Sequence, residues 1–204
     1  MSETARVAAS NAWLDSYVAK GPSTLDFPTE EPWLRLPYYA HGQAQPGLRR
    51  SARPSVRAIV IQDDGRLLLT TTDEYHELVF PGGGVDGDES DLEALARELE
   101  EETGYLLQPG STQPFLSVDD YHNRADLGLS LRQSNRYFLC RANPGGAMHL
   151  DKFEARTGLR PQLCGLDGAI QTNEALLARK HLFWVERDTL ALYLLCERRN
   201  ELGL

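Results

Sequence analysis

The pattern of apolar and polar positions changes near residue 55 of this 204-residue chain. Beyond that point, short apolar runs at residues 56–62 and 66–72 flank the turn sequence Asp63-Asp64-Gly65, which predicts a β-hairpin. Further strands are predicted at residues 78–80, 115–119, 135–141 and 160–166, and helices at residues 90–103, 166–180 and 185–198. Strands that alternate with helices in this way predict an α/β domain over residues 55–204.

Residues 1–54 follow a different pattern. A short helical pattern at residues 8–19 gives way to frequent prolines, which break regular elements. The segment also contains large apolar side chains, at Trp13, Trp33, Leu34, Leu36, Tyr38 and Tyr39. A free tail would not usually carry so many of them. We therefore predict a proline-rich N-terminal extension that packs on its own domain, chiefly through residues 32–39, or on the partner in a homodimer.

The net charge of −9 is concentrated in one window, residues 86–102. Only one basic residue, Arg97, lies in that window. Its nine carboxylates belong to Asp86, Asp88, Glu89, Asp91, Glu93, Glu98, Glu100, Glu101 and Glu102. Because the remainder of the chain is close to neutral, we expect no broad basic face for duplex nucleic acid.

Other features of the composition exclude further classes of protein. No apolar run approaches the roughly 20 residues of a membrane-spanning helix, and the first twenty residues lack the apolar core of a signal peptide. We therefore expect a cytoplasmic protein without a membrane partner. Cys140, Cys164 and Cys196 are odd in number and far apart, which predicts free core thiols.

The acidic window is predicted to form a helix. Ser90 and Glu93 have the spacing of a capping box, and Gly104 stands where a helix would end. One stripe of apolar residues is predicted to pack on the core, formed by Leu92, Leu95, Ala96 and Leu99. At about 100° per residue, three carboxylates converge beside that stripe, those of Glu98, Glu101 and Glu102.

Like charges four residues apart destabilise a helix, so this grouping needs a compensating partner. One interpretation is a solvated acidic face neutralised by Arg97 and counterions. The other is a cation site, because grouped carboxylates are hard ligands suited to Mg²⁺ or Mn²⁺. An EF-hand is disfavoured, since Asp91 occupies the position of the loop glycine.

Residues 83–105 have the spacing G-x5-E-x7-R-E-U-x-E-E-x-G-U, where U is apolar or aromatic. The residues at the specified positions are Gly83, Glu89, Arg97, Glu98, Leu99, Glu101, Glu102, Gly104 and Tyr105. This pattern resembles the Nudix box at every specified position. The resemblance extends less specifically over residues 56–204 and implies an α/β/α sandwich with a mixed β-sheet. It also implies a hydrolase that uses Mg²⁺ or Mn²⁺ to cleave a small molecule in which a nucleoside diphosphate is linked to another moiety.

The resemblance also implies roles for individual residues. Glu98, Glu101 and Glu102 would be catalytic metal ligands, and the carbonyl of Gly82 is a further candidate ligand. The residues expected to support the loop and helix are Gly83, Glu89, Arg97 and Gly104. The general base is left open. The candidates for it, or for substrate contacts, outside the box are Asp119, Asp120, Tyr121, His122, Glu154 and Glu174. The alternative to an enzyme is a Nudix-fold module that binds a nucleotide ligand without turnover.

Overall fold

The computed structural model describes residues 17–19 and 38–204. Its strands are β1 (Tyr17–Ala19), β2 (Tyr38–His41), β3 (Arg49–Ile61), β4 (Leu67–Thr71), β5 (Tyr105–Leu107), β6 (Gln113–Arg124), β7 (Leu129–Cys140), β8 (Ala142–Pro144) and β9 (Arg160–Cys164). Its helices are α1 (Asp91–Thr103), α2 (Lys152–Thr157), α3 (Leu166–Leu177), α4 (Phe183–Glu197) and α5 (Arg199–Leu202). A short 3₁₀ turn, Ala125–Leu127, lies between β6 and β7.

The chain divides into two compact units, and β3, β6 and β7 contribute residues to both. Of the described residues, the smaller unit comprises 17–19, 38–55 and 114–136. Its strands are hydrogen-bonded in the order β1-β2-β6-β7. β1 is antiparallel to β2, whereas β2 is parallel to β6, with Tyr38 opposite Ser117. The sheet is therefore mixed, as predicted.

The larger unit comprises residues 56–113 and 137–204. Its strands follow the order β7-β3-β4-β9, beside a two-stranded sheet of β5 and β8. β3 and β4 form the predicted hairpin, with Val60 opposite Leu68. Ile59, Leu68 and Leu99 are almost completely buried, so strands and helix α1 share the apolar core of this unit. The predicted α/β fold class is confirmed.

Helix α1 begins and ends where the sequence predicts. The Ser90 hydroxyl accepts a hydrogen bond from the Glu93 N–H, and the Glu93 carboxylate accepts one from the Ser90 N–H, which completes the capping box. Gly104 ends the helix at φ 69°. The predicted core stripe is wrong at Leu92, which is 46% exposed. Leu92 lies in the first turn of the helix, whereas Leu99, seven residues further along the same face, is buried together with Glu102.

Three further predictions need correction. Residues 78–80 form no strand of their own and make only a single bridge, between Thr70 and Val79. The strand predicted at 115–119 is longer, so Asp120, Tyr121 and His122 also lie within β6. The helical pattern at 8–19 ends in strand β1, and its other residues lie outside the described part of the chain.

The predicted packing of the N-terminal extension stays a prediction, because Trp13, Trp33, Leu34 and Leu36 also lie outside the described residues. Over residues 17–19 and 38–204, no helix has the length and apolar character needed to cross a membrane. The three cysteines are free thiols, and of these only Cys140 is buried.

Candidate active site

A glycine-rich loop, residues 81–84, lies against strand β3. The Val56 N–H donates to the Gly83 carbonyl and the Ala58 N–H donates to the Pro81 carbonyl, each at 2.9 Å. Gly82 has φ 141°, and a Cβ there would collide with the carbonyl oxygen of Val56. Glycine is therefore required at this position both by conformation and by the close approach of the β3 backbone.

Two glutamates of α1 reach this loop. The Gly82 N–H donates to Glu102 Oε2 at 2.8 Å. A Cβ on Gly83 would lie 2.5 Å from the carboxylate of Glu98, so a larger residue there would displace that flexible side chain from its place against the loop. Glu98 and Glu102 are one helical turn apart and both face the loop. The loop and the helix therefore form one structural unit.

Arg97 joins the loop to the carboxylates of the helix. Its guanidinium donates to Glu89 Oε1 at 2.6 Å and to the Gly84 carbonyl at 3.1 Å. The same side chain donates to Glu98 at 2.7 Å and to Glu101 at 3.2 Å. The single guanidinium of Arg97 thus donates hydrogen bonds to three carboxylates. These hydrogen bonds raise the pKa of Arg97. The geometry agrees with the predicted supporting role of Arg97 and Glu89, which stays a prediction.

The acidic groups of the site have shifted pKa values. Burial raises the pKa of Glu102 to about 8, although the positive charge of Arg57 and the Gly82 N–H oppose the shift. Burial also raises the pKa of Glu98, against the hydrogen bond from Arg97. The pKa of Glu154 is raised as well, first by burial and further by the negative charges of Asp151, Glu98 and Glu101. The site therefore concentrates negative charge that a cation would relieve.

Arg57 of strand β3 contacts the other side of the loop, and its guanidinium donates a hydrogen bond to the Gly82 carbonyl. Burial and the like charge of Arg187 lower the pKa of Arg57, while Asp188 opposes that shift. The Tyr137 hydroxyl donates to Asp188 at 2.5 Å, and the Arg187 Nε donates to that hydroxyl at 3.0 Å. Arg187 and Asp188 are buried on α4 and lie beside the loop as a paired charge.

The segment that leads into the loop is held by side chains from two helices. Asn173 of α3 accepts from the Leu78 N–H at 2.9 Å and donates to the Leu78 carbonyl at 2.8 Å, as a neighbouring strand would. Asp188 of α4 accepts from the Phe80 N–H at 2.8 Å. Sequence reasoning missed both residues. The available signal was a polar residue on an otherwise apolar face, since Ile170 and Leu176 flank Asn173 on the buried side of α3.

The six candidates outside the box lie in different parts of the structure. Glu154 lies at the start of α2, where its charge raises the pKa of Glu102. Glu174 accepts a hydrogen bond from the Tyr193 hydroxyl of the neighbouring helix. The other four, Asp119, Asp120, Tyr121 and His122, belong to the smaller unit. Asp119 and Asp120 are completely buried there. Glu154 is therefore the candidate that the structure brings to the box glutamates.

The donor set fits a hard divalent cation in its chemistry, because it consists of carboxylates and a backbone carbonyl. Among the described residues, however, no three acidic, histidine or cysteine side chains already converge on one point in the manner of a metal site. Arg97 engages Glu98 and Glu101, and Arg57 engages the Gly82 carbonyl. Two arginines thus donate hydrogen bonds to three of these oxygen donors, while Glu102 accepts one from the Gly82 N–H.

Comparisons with known proteins show which family and which proteins this chain is similar to. A family model for the NUDIX domain matches residues 51–185. An RNA pyrophosphohydrolase of Halorhodospira halophila is 50% identical over 52 residues, which cover 26% of this chain and 29% of that protein. A solved ADP compounds hydrolase has a TM-score of 0.49 at 23% identity, over 76% of this chain and 77% of its own. A MutT NUDIX hydrolase from Burkholderia pseudomallei has a TM-score of 0.47 at 21% identity, over 71% of this chain and 98% of its own.

The fold and the site define a mixed α/β protein in which a glycine loop is followed by an acidic helix. Because the family model matches more than half of the chain, the chain belongs to the Nudix family, and the resemblance of residues 83–105 to the Nudix box is confirmed. The chain spans less than a third of the length of the RNA pyrophosphohydrolase that it matches.

Proposed function

We propose that this protein is a pyrophosphohydrolase that uses Mg²⁺ or Mn²⁺ to cleave a nucleoside diphosphate linked to another moiety. The observation that carries the proposal is the position of Glu98 and Glu102. Both carboxylates face the glycine loop from one side of α1, where burial raises their pKa values. A purely structural helix face would gain nothing from carboxylates held in this position.

We infer that Glu98, Glu101, Glu102 and the Gly82 carbonyl hold the metal ion. When bound, a divalent ion neutralises phosphate oxygens and lowers the pKa of a bound water. Arg97 keeps Glu98 and Glu101 close together through hydrogen bonds to both. Glu89 fixes Arg97 in turn, so the carboxylates keep one arrangement relative to the loop.

For the general base we favour Glu154 over the other five candidates. Its charge influences the pKa of Glu102, and the charges of Glu98 and Glu101 raise its own pKa, so these four groups lie within electrostatic reach of one another. A raised pKa also brings a carboxylate closer to the pH at which a base works best. Replacement of Glu154 by Gln should lower kcat and leave metal affinity within about twofold. A large loss of metal affinity would assign Glu154 to the metal instead.

The direct test is incubation with a panel of substrates in the presence of Mg²⁺ or Mn²⁺. The panel comprises dinucleotides, nucleotide sugars, nucleoside triphosphates and a short RNA with a 5′-triphosphate end. The RNA is included because the relative from Halorhodospira halophila is named an RNA pyrophosphohydrolase. Release of a phosphate-containing product from at least one substrate, abolished by EDTA, is the expected result.

The alternative is a binding module without turnover. This alternative requires tight binding of one compound in the panel with no product from any of them. The complete set of box glutamates argues against it, because carboxylates grouped at a phosphate site serve no purpose in binding an anion without a metal. Isothermal titration on the same panel separates the two functions.

A further inference from the structure

The four backbone carbonyls of residues 81–84 are bound in two different ways. Backbone N–H groups of β3 donate to the first and the third of them, each at 2.9 Å. The second, that of Gly82, accepts from the side chain of Arg57. The fourth, that of Gly84, accepts from the side chain of Arg97 at 3.1 Å. The backbone of β3 thus holds the glycine loop in place, and two arginines bind its other two carbonyls.

Only one of these two arginines lies in the Nudix box. Arg97 is on α1, where it also donates to Glu98 at 2.7 Å. Arg57 precedes the box in the sequence and lies on β3, between the two residues whose N–H groups bind the loop, Val56 and Ala58. The pairing of β3 with the loop therefore fixes where the side chain of Arg57 begins.

Gly82 is held through both its N–H and its carbonyl. The N–H donates to Glu102 of α1 at 2.8 Å, and the carbonyl accepts from Arg57 of β3. Its φ of 141° is accessible to glycine and to few other residues. Because glycine can adopt many other backbone conformations as well, the torsions of Gly82 do not fix its peptide groups by themselves. Two charged side chains from different elements select one orientation.

The charge of Arg57 lies between two groups of ionisable side chains. Burial raises the pKa values of Glu98 and Glu102, and the positive charge of Arg57 opposes both shifts. Burial lowers the pKa of Arg57, as does the like charge of Arg187, while Asp188 opposes that shift. Arg57 is thus within electrostatic reach of the box glutamates and of the buried pair on α4.

We propose that Arg57 is a positioning residue of the metal site, the counterpart on β3 of Arg97 in the box. It fixes the Gly82 carbonyl directly, and it fixes Glu102 through the N–H of the same glycine. A carbonyl oxygen has two lone pairs, so the hydrogen bond from Arg57 leaves one of them for a metal ion. Residues that orient metal ligands without touching the metal commonly set its affinity. This inference rests on the proposed function in taking Gly82 and Glu102 as metal ligands.

The experiment measures binding of Mn²⁺ to the full chain by isothermal titration without substrate. Arg57→Met keeps an unbranched apolar side chain and removes the donor and the charge. Provided that its circular dichroism spectrum matches that of the wild type, its affinity for Mn²⁺ should fall about tenfold, as is typical when a group that orients metal ligands is lost. Loss of a positive charge alone would tighten the binding of a cation, so weaker binding reports lost orientation. Unchanged or tighter binding would overturn the proposal.

The matched control is Arg66→Met. Arg66 is exposed and pairs with Asp64 in the turn between β3 and β4. Its replacement removes the same charge from the larger unit, and it should change the affinity for Mn²⁺ by less than about twofold, because exposed charges are well screened. A loss as large as that of Arg57→Met would make the effect one of net charge and overturn the proposal.

Kinetics on the substrate of the panel that is cleaved fastest give a second readout. In Arg57→Met, kcat should fall about tenfold while KM stays within about twofold, as expected for a residue that acts through the metal ligands and not on the substrate. A raised KM with unchanged kcat would make Arg57 a substrate-binding residue and overturn the proposal.

Arg57→Lys keeps the positive charge, so it should fold even if Arg57→Met does not. Lysine is shorter and lacks the planar fork of arginine, so its kcat and its affinity for Mn²⁺ should each be about threefold below those of the wild type. Wild-type values in Arg57→Lys would show that charge alone is sufficient and would overturn the positioning role.

Failure of this inference is distinguishable from failure of the proposed function. Weaker Mn²⁺ binding in Arg57→Met, without turnover of any substrate in the panel by the wild type, would support the positioning role and contradict the hydrolase. Turnover by the wild type, with unchanged kcat and Mn²⁺ affinity in Arg57→Met, would support the hydrolase and contradict the positioning role.

Discussion

Two sets of polar side chains hold the segment 78–84, and they differ in burial. On one side, Arg97 links Glu89, Glu98 and Glu101 in a cluster that is partly exposed, with 31% of the Arg97 side chain accessible to water. On the other side, Asn173 and Asp188 bind the backbone of Leu78 and Phe80 and are completely buried. The segment 78–84 is thus held by one set of side chains that water can reach and by another set that is buried.

The difference has a physical cause. A carboxylate that leaves Arg97 can be solvated or can take a cation, so the exposed cluster can rearrange at little cost. A buried backbone N–H that loses Asp188 finds no water and remains unsatisfied. We therefore propose that the exposed side carries the chemistry and that the buried side positions the loop. Variants on the two sides should separate activity from stability.

The largest expected effect is on the buried side, at Asp188. Replacement by Ala removes the carboxylate that pairs with the buried Arg187 and leaves the Phe80 N–H without its acceptor. Loss of one partner of a buried pair typically costs about 3–5 kcal/mol in the free energy of unfolding. Urea denaturation measures this, with Glu197→Ala on the exposed end of the same helix as the control. A loss below about 1 kcal/mol at Asp188 would show that the buried network is not needed.

The second-largest expected effect is a loss of activity when Glu98 is replaced. Glu98→Gln keeps the shape of the side chain and removes its charge, so turnover should fall by about a hundredfold or more, the scale of one lost electrostatic interaction at a reacting phosphate. Stability should change little, because Glu98 retains a neighbour in Arg97. Glu100→Gln is the matched control, since Glu100 instead lies against Gly146. Comparable losses of activity at Glu98 and Glu100 would contradict the assignment of the site to one face of α1.

A smaller loss of stability is expected at Asn173. Asn173→Ala leaves both the N–H and the carbonyl of Leu78 without their partner, at a cost of about 1–3 kcal/mol. Gln171→Ala, an exposed change on the same helix, should cost much less. Thermal melts of the two variants make the comparison. Similar melting temperatures would mean that water replaces the side-chain amide.

These two sides also differed in how well the sequence predicted them. The exposed side lies within residues 83–105, where the capping box, the glycines and the glutamate spacing are local signals, and helix α1 has the predicted bounds. The buried side depends on contacts between distant positions, such as Asn173 with Leu78 and Asp188 with Phe80. A single sequence carries no periodicity that pairs such residues. The burial of Glu102 and the exposure of Leu92 were missed for the same reason, since tertiary packing decides how much of each turn of the helix is covered.

Glu102 connects the two sides and predicts a pH dependence. Its pKa of about 8 lies above the usual value of about 4.3 for an unfolded chain. A group that binds its proton more tightly when folded stabilises the fold fully below the unfolded pKa, and that contribution is lost as pH rises through the folded pKa. In EDTA, the melting temperature of the wild type should therefore fall from about pH 6 to about pH 9 more than that of Glu102→Gln, which cannot ionise. Parallel pH profiles would show that Glu102 is already ionised at neutral pH.

The smallest effect is expected at Glu89, on the exposed side. Arg97 donates two hydrogen bonds to this carboxylate, and the two side chains are 31% and 18% exposed. Because Arg97 keeps Glu98, Glu101 and the Gly84 carbonyl as partners, Glu89→Gln should cost no more than about 1 kcal/mol in the free energy of unfolding, the upper end for ion pairs near the surface. The cost should shrink further as salt is added, since screening weakens exposed pairs. Urea denaturation at low and high salt measures both quantities. A loss as large as that of Asp188→Ala, independent of salt, would place Glu89 with the buried partners and remove the distinction between the two sides.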